Sequence, residues 1–229
     1  MNHLTRIPMR ERLRLGTMRH RTPRYIYART RQYLYERSHP GEPWLTPEAI
    51  RMLGSMLLPS DHGLEFGSGR STIWFAKRVC RLTSVEHNTD WHAVLSGRLK
   101  EQRLDNVNYI LAPPDQPEEL GDNSEYVRSA MAFAASSLDF VLIDGVYRGH
   151  TAKYALSRIK PGGLLIIDNV NWFLPSNSCS PNSRTLALGP EGPVWAEVAG
   201  DLASWRCIWT SSSIWDTAIY VKPGTQSAR

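Results

Sequence analysis

The stretch Glu65-Phe66-Gly67-Ser68-Gly69-Arg70-Ser71-Thr72 has the residue types and spacing of a ligand-binding turn. Glycines there let the backbone approach a ligand closely, and a helix that follows offers free N–H groups to an anion. The setting strengthens the reading: a strand-like run precedes the turn, a helical segment follows, and Glu86 closes the next strand-like run. A carboxylate at that point can accept both hydroxyls of a ribose. The bland alternative is a tight turn with no ligand.

The type of cofactor follows from what flanks the glycines. A dinucleotide site wants Gly or Ala at the sixth position of the turn, where Thr72 stands, and an apolar strand up to the glycines, which Glu65 interrupts. A phosphate-binding loop of the Gly-Lys-Ser/Thr kind does not occur. An acid two positions ahead of Gly67 suits a cofactor with an amino-acid end, whose ammonium and sulfonium charges want carboxylates nearby. That pattern points to S-adenosylmethionine.

A second constellation is Asp144, Asp168 and Asn169, at the ends of two further strand-like runs. Adjacent strands lie about 4.8 Å apart, so these side chains can converge at the carboxyl edge of a sheet. Three oxygen ligands plus waters suit Mg²⁺, which would lower the pKa of a bound hydroxyl. Equally, Asp144 orders a cofactor while Asp168 or Asn169 caps the next short helix. For a general base the candidate is His150, whose residue type titrates near neutrality, with Asp144 and Tyr147 as the other candidate catalytic residues. A helix-start histidine without catalytic duty is the other reading of His150, and Tyr147 with Arg148 can instead orient an acidic or phenolic substrate. The rings of Trp44, Trp172 and Phe173 belong either to a pocket wall or to the core.

The elements that must position these groups alternate. Strand-like runs fall at 64–66, 82–86, 107–111, 140–144 and 164–168, with helical segments at 71–78, 89–103, 124–136 and 149–159. This βαβα order predicts a doubly wound, mostly parallel sheet with right-handed crossovers. Two earlier helices start at Thr22-Pro23 and Thr46-Pro47, each with a Thr cap and Pro in the first turn. Residues 175–193, rich in Pro, Ser, Asn and Gly, read as a long loop, functional or mobile, where a substrate lid would attach. A short helix at 194–202 precedes runs at 205–210 and 217–221, which read as an antiparallel hairpin at the sheet edge.

The motifs resemble those of class I S-adenosylmethionine-dependent methyltransferases. Glu65-Phe66-Gly67-Ser68-Gly69, Ser84-Val85-Glu86-His87, Asp139 to Gly145, and Lys160-Pro161-Gly162-Gly163 running to Asp168-Asn169 come in that family's order across roughly residues 46–222. Ser71 departs from the third glycine of many members. The resemblance implies a Rossmann-like seven-stranded sheet with an antiparallel last strand. It implies that Gly67, Ser68 and Gly69 line the methionine and ribose portions, with Glu65, Ser71, Thr72 and Asp144 beside them. Glu86 would hold the ribose and His87 would lie beside the adenine. Asp115 would face the adenine amine, or else cap a loop. The Asp144…Asp168-Asn169 set is similar to the Mg²⁺ ligands of catechol O-methyltransferase-like enzymes, although Tyr147 stands where those enzymes carry a lysine.

Composition bounds the remaining choices. The chain has 229 residues, 41% hydrophobic and 21% charged, which fits one soluble globular domain and argues against disorder. No apolar run approaches a membrane span, no secretory signal is read at the N-terminus, and three dispersed cysteines suit a reducing cytoplasm. Net charge is +5, but residues 1–40 carry ten arginines against two glutamates, while the rest holds 17 basic and 20 acidic side chains. The expected organisation is a basic helical arm over 1–45 and a methyltransferase domain over 46–229. The arm can meet nucleic acid or, through its tyrosines, a second copy of the chain. The reading reached is methyl transfer to a small molecule, a hydroxyl oxygen first, with Mg²⁺ assistance. The alternatives are an RNA or protein methyltransferase and a non-catalytic scaffold. Against RNA, Asp144 is followed by Gly-Val-Tyr rather than Pro-Pro-Tyr.

Overall fold

The computed structural model describes residues 22–224. Two helices open it. In α1 (Pro23–Ser38) the Thr22 hydroxyl accepts from the Tyr25 N–H, and in α2 (Pro47–Met56) Thr46 accepts from the Ala49 N–H. There follow β1 (His62–Phe66), α3 (Arg70–Ala76), β2 (Arg81–Glu86), α4 (Thr89–Glu101) and β3 (Val107–Leu111). Next come α5 (Glu125–Arg128), β4 (Leu138–Ile143), α6 (Arg148–Leu156) and β5 (Ile159–Asp168), then α7 (Gly192–Leu202), β6 (Arg206–Ser211) and β7 (Asp216–Val221). The seven strands form one sheet of order β3-β2-β1-β4-β5-β7-β6. The first five run parallel, and β7 lies antiparallel to both β5 and β6. This is the doubly wound Rossmann-like sheet expected, with its C-terminal hairpin.

Strand alternation divides the core into two layers. Leu64, Phe66, Val141, Ile143, Leu165 and Ile167 pack with Tyr126, Leu156, Trp195 and Val198 on one face. Phe140, Leu142, Leu164, Ile166 and Ile219 pack with Ile50, Leu53, Trp74 and Phe75 on the other. Successive side chains of a strand point to opposite faces, so the central strands β4 and β5 bury apolar residues on both sides.

Three elements differ from the sequence expectation. The helix expected over 124–136 is a single α turn between the 3₁₀ segments Glu118–Asn123 and Ser129–Ala132. There the Ser129 hydroxyl donates to the Tyr126 carbonyl and competes with helix continuation. Strand β5 starts early because Lys160-Pro161-Gly162-Gly163 forms a bulge inside it, pinned by Lys160 Nζ on Asp139 Oδ1 at 2.7 Å. The expected mobile loop after β5 is tied down. Asp216, fully buried, accepts from Ser180 Oγ at 2.6 Å and Trp209 Nε1 at 2.8 Å. Its own N–H donates to Asn171 Oδ1, and Asn171 Nδ2 donates to Pro181 O and Ser183 Oγ.

Residues 1–21 of the basic arm lie outside the described residues. Its helix, α1, docks on the β6–β7 turn through Arg29, whose guanidinium lies over the Trp215 ring. Tyr35 donates to Glu42, Tyr25 accepts from Arg29 and Tyr33 accepts from Arg37, so three of the arm's four tyrosines are engaged within the chain. Among the described residues no helix is long and apolar enough to cross a membrane.

Replacing Asp216 by Ala leaves the Trp209 N–H unpaired and the Ser180 hydroxyl with Ser211 alone. The expected loss is about 3 kcal/mol, a Tm lower by about 6–10 °C. Hydrogen exchange checks the location: amides of Ser180, Ser183 and Arg184 lose protection while the β1–β4 ladder keeps it.

Candidate active site

Strands β1 and β4 are neighbours with crossovers leaving in opposite directions, so the carboxyl end of this pair is the switch point of the sheet, where α/β proteins open a crevice. Gly67 turns there with φ +88°, and a Cβ on it would stand 2.6 Å from Gly145 N. The Gly67 N–H donates to Val85 O and the Asp144 N–H to Phe66 O. The turns after β1 and β4 are thus pressed together, and only glycine fits at 67.

Glu65, on β1, is completely buried. Its Oε2 accepts from Thr72 Oγ1 at 2.6 Å and from Ser84 Oγ on β2 at 2.5 Å, and Thr72 in turn accepts from the Gly69 N–H. Thr72, which breaks the dinucleotide pattern, is therefore the clasp that holds the turn to β1. Oε1 makes no full hydrogen bond. Burial pushes the carboxyl up to about 7, against the pull of the Ser71, Ser84 and Thr72 hydroxyls. Glu86, at the end of β2, is compensated differently. Oε2 accepts from the Ser68 N–H and hydroxyl, and Oε1 from the N–H groups of His87 and Asn88. The Ser68 hydroxyl also meets Tyr109, and Trp91 Nε1 donates to Ser68 O. His87 is one-third exposed, with its ring 3.1 Å from Glu86.

Asp144 completes a set of carboxyl groups, since its charge acts on Glu65 and Glu86 acts on it. It lies in register beside Asp168, as expected. The residue between them is a cation of the chain itself. Arg148 Nη2 donates to Asp144 Oδ1 at 3.0 Å and to Asp144 O at 2.9 Å. Nη1 donates to Asp168 O at 2.7 Å and Asn169 Oδ1 at 3.2 Å, and Nε to Gly145 O at 2.9 Å. Asp168 Oδ1 accepts from Thr217 Oγ1. Burial and the neighbouring Asp144 push the Asp168 carboxyl well up, while Arg148 holds both acids down. Mg²⁺ does not fit this arrangement: of the side-chain oxygens that would ligate it, Asp144 Oδ1 and Asn169 Oδ1 already accept from the guanidinium, and Asp168 Oδ1 accepts from the Thr217 hydroxyl. No group of three or more His, Cys, Asp or Glu side chains suited to a metal occurs among the described residues.

The other expected residues have definite partners. The Tyr147 hydroxyl donates to Gln116 O, and the ring is buried in the core beside Tyr126. His150 is buried with Nδ1 2.6 Å from Asp122 Oδ1. Asp115 accepts from the Ser124 hydroxyl and the Glu125 N–H, the loop-capping alternative. Trp44 and Trp172 are exposed rings, and Phe173 stacks on Trp195 below Arg148. Sequence reasoning missed Ser84, Asp122 and Thr217 as partners, and it weighed Arg148 only as a substrate contact. The signal for Arg148 was its place four residues after Asp144, the spacing at which ion pairs form.

No family model matches the chain, and no curated protein sequence matches it. Solved structures do. A methyltransferase-like protein of Silicibacter pomeroyi shares 19% identity at a TM-score of 0.52, over 80% of this chain and 89% of that one. A "putative caffeoyl-CoA O-methyltransferase" of Staphylococcus aureus shares 15% identity at 0.51, over 85% and 91%. The chain has the class I methyltransferase fold.

Glu65 lies one residue before the end of β1, and its shift gives a pH dependence. Its folded pKa, about 7, lies above the ordinary 4.5, so its contribution to stability is complete below the ordinary value and is lost as pH rises through 7. Full ionisation costs about 3 kcal/mol. Glu65→Gln keeps an oxygen for Thr72 and Ser84 and removes the titration. Urea unfolding at pH 5 and pH 9 is expected to give a smaller loss of stability for the variant than for the parent, by about that amount.

Proposed function

We propose that the protein is an S-adenosylmethionine-dependent methyltransferase acting on a hydroxyl of a small-molecule acceptor. The observation that carries this reading is the meeting of three carboxyl groups, Glu65, Glu86 and Asp144, from the ends of β1, β2 and β4 around the turn at residues 67–69. A cofactor with sulfonium and ammonium charges is stabilised by such a field, and a phosphate-bearing dinucleotide is repelled by it. The orphaned Oε1 of buried Glu65 fits the same ligand. The name of the Staphylococcus aureus structure agrees with oxygen as the acceptor atom.

When bound, S-adenosylmethionine supplies a methyl group already activated on sulfur. The chain's task is then to bind, align and keep water out. Glu86 would hold the ribose hydroxyls of the cofactor. Ser68 and Gly69 offer backbone to the methionine portion, Ser71 and Thr72 hold the turn, and His87 flanks the adenine. Glu65 and Asp144 balance the positive charge. His150 takes the acceptor proton: Asp122 holds Nδ1, which leaves Nε2 as the basic nitrogen. Tyr147, engaged on Gln116, positions the segment that carries Asp122.

Calorimetric titration with S-adenosylmethionine tests the reading. Saturable binding is expected, weakened about a hundredfold or more in Glu86→Ala. His150→Gln is expected to keep that affinity and lose turnover of a hydroxyl acceptor. A folded protein that binds no S-adenosylmethionine would remove the proposal.

A further inference from the structure

The guanidinium of Arg148 has five N–H donors, and the five contacts to Asp144 Oδ1, Asp144 O, Gly145 O, Asp168 O and Asn169 Oδ1 use all of them. The side chain is 16% exposed and lies over the Phe173 ring, 5.7 Å from its centroid. All five acceptors are carboxylate, amide or carbonyl oxygens, the donor set that a hard divalent cation takes. They come from two adjacent strand ends, those of β4 and β5: Asp144 and Asn169 give the side-chain oxygens that invited a metal reading, whereas Asp168 gives its main-chain carbonyl while Thr217 holds its carboxyl. We propose that Arg148 is a resident cation of the chain, holding the place between Asp144, Asp168 and Asn169 that a divalent metal would hold. The protein neither needs nor binds a metal there.

Two consequences follow. A divalent ion keeps open positions at which two neighbouring hydroxyls of an acceptor can bind, whereas a guanidinium with every donor engaged offers none. The acceptor is therefore gripped by other groups and needs no vicinal pair of hydroxyls. Moreover, removing the guanidinium uncovers an oxygen cluster ready for a cation, so the substitution should create a metal site.

Mn²⁺, followed by electron paramagnetic resonance of the full-length chain, tests this without any cofactor, so its outcome is independent of the methyltransferase reading. The parent protein is expected to leave added Mn²⁺ free. Arg148→Ala is expected to bind one Mn²⁺ about a hundredfold more tightly than the parent, and Arg148→Ala combined with Asp144→Asn to lose it again. Should Arg148→Ala fail to fold in buffer alone, refolding with Mn²⁺ becomes the readout, and recovery of the far-ultraviolet spectrum is the expected result. Stoichiometric Mn²⁺ binding by the parent that Asp144→Asn abolishes would overturn the proposal. So would a folded Arg148→Ala that binds none, or an unfolded one that Mn²⁺ does not restore. A calorimetric arm then connects the site to function. S-adenosylmethionine affinity of the parent is expected to be the same in EDTA and in Mg²⁺, and that of Arg148→Ala to be weakened and restored by Mn²⁺. A parent that loses S-adenosylmethionine binding in EDTA would also overturn the proposal.

Discussion

The contact between the turns at Gly67 and Gly145 fixes the rest of the site. Two parallel strands, far apart in sequence, end side by side, and their backbones meet so closely that a methyl group on residue 67 would reach Gly145 N at 2.6 Å. Because of that approach, Glu65, Glu86 and Asp144 cannot spread apart, and each carries its charge into the field of the others. Everything around the crevice answers the cost of holding carboxylates together away from bulk water.

The three acids are compensated in three ways, and the differences matter chemically. Glu86 receives three backbone N–H groups and one hydroxyl. Glu65 receives only side-chain hydroxyls, which are weaker donors, and its carboxyl rises toward neutrality. Asp144 meets a full positive charge. A cationic ligand arriving at the turn therefore meets one group fixed by backbone donors, one whose ionisation it would assist, and one held in place by an internal ion pair. The gradation allows the ligand-free site to tolerate its own charge.

The fold was legible in the sequence because its signals are local. Apolar runs of strand length, Thr-Pro helix starts and the glycine turn each act over a few residues, and the seven strands came out in order. Boundaries slipped where tertiary contact overrides a local signal: the Lys160-Pro161-Gly162-Gly163 turn joined β5 as a bulge, and the helix over 124–136 shrank to one turn. The place of the site was also legible, since glycines and strand-end acids mark it. Its wiring was not. Ser84 reaches Glu65 only because β1 and β2 pair in the register Glu65↔Ser84, and Thr217 reaches Asp168 through the pairing Asp168↔Thr217. Those alignments join residues 19 and 49 positions apart, and no local pattern records them. For Asp144 and Asn169, residue type pointed to side-chain oxygens that meet the guanidinium of Arg148, whereas the Asp168 carboxyl turns to Thr217 and only its main-chain carbonyl joins them.

The segment after β5 carries the same lesson about composition. Serine, asparagine and glycine favour an exposed, mobile loop on average, yet Asp216 and Asn171 draw this one onto the sheet edge through a few buried hydrogen bonds. Its prolines at 175, 181, 190 and 193 help, because a chain already restricted at those positions loses less freedom on ordering. Ordering here also has a chemical consequence. Asn171 lies two residues after Asn169, and Phe173 packs against Arg148, so the hydrogen bonds that settle the loop also hold in place the strand end on which the guanidinium rests. The loop is a buttress of the charge arrangement.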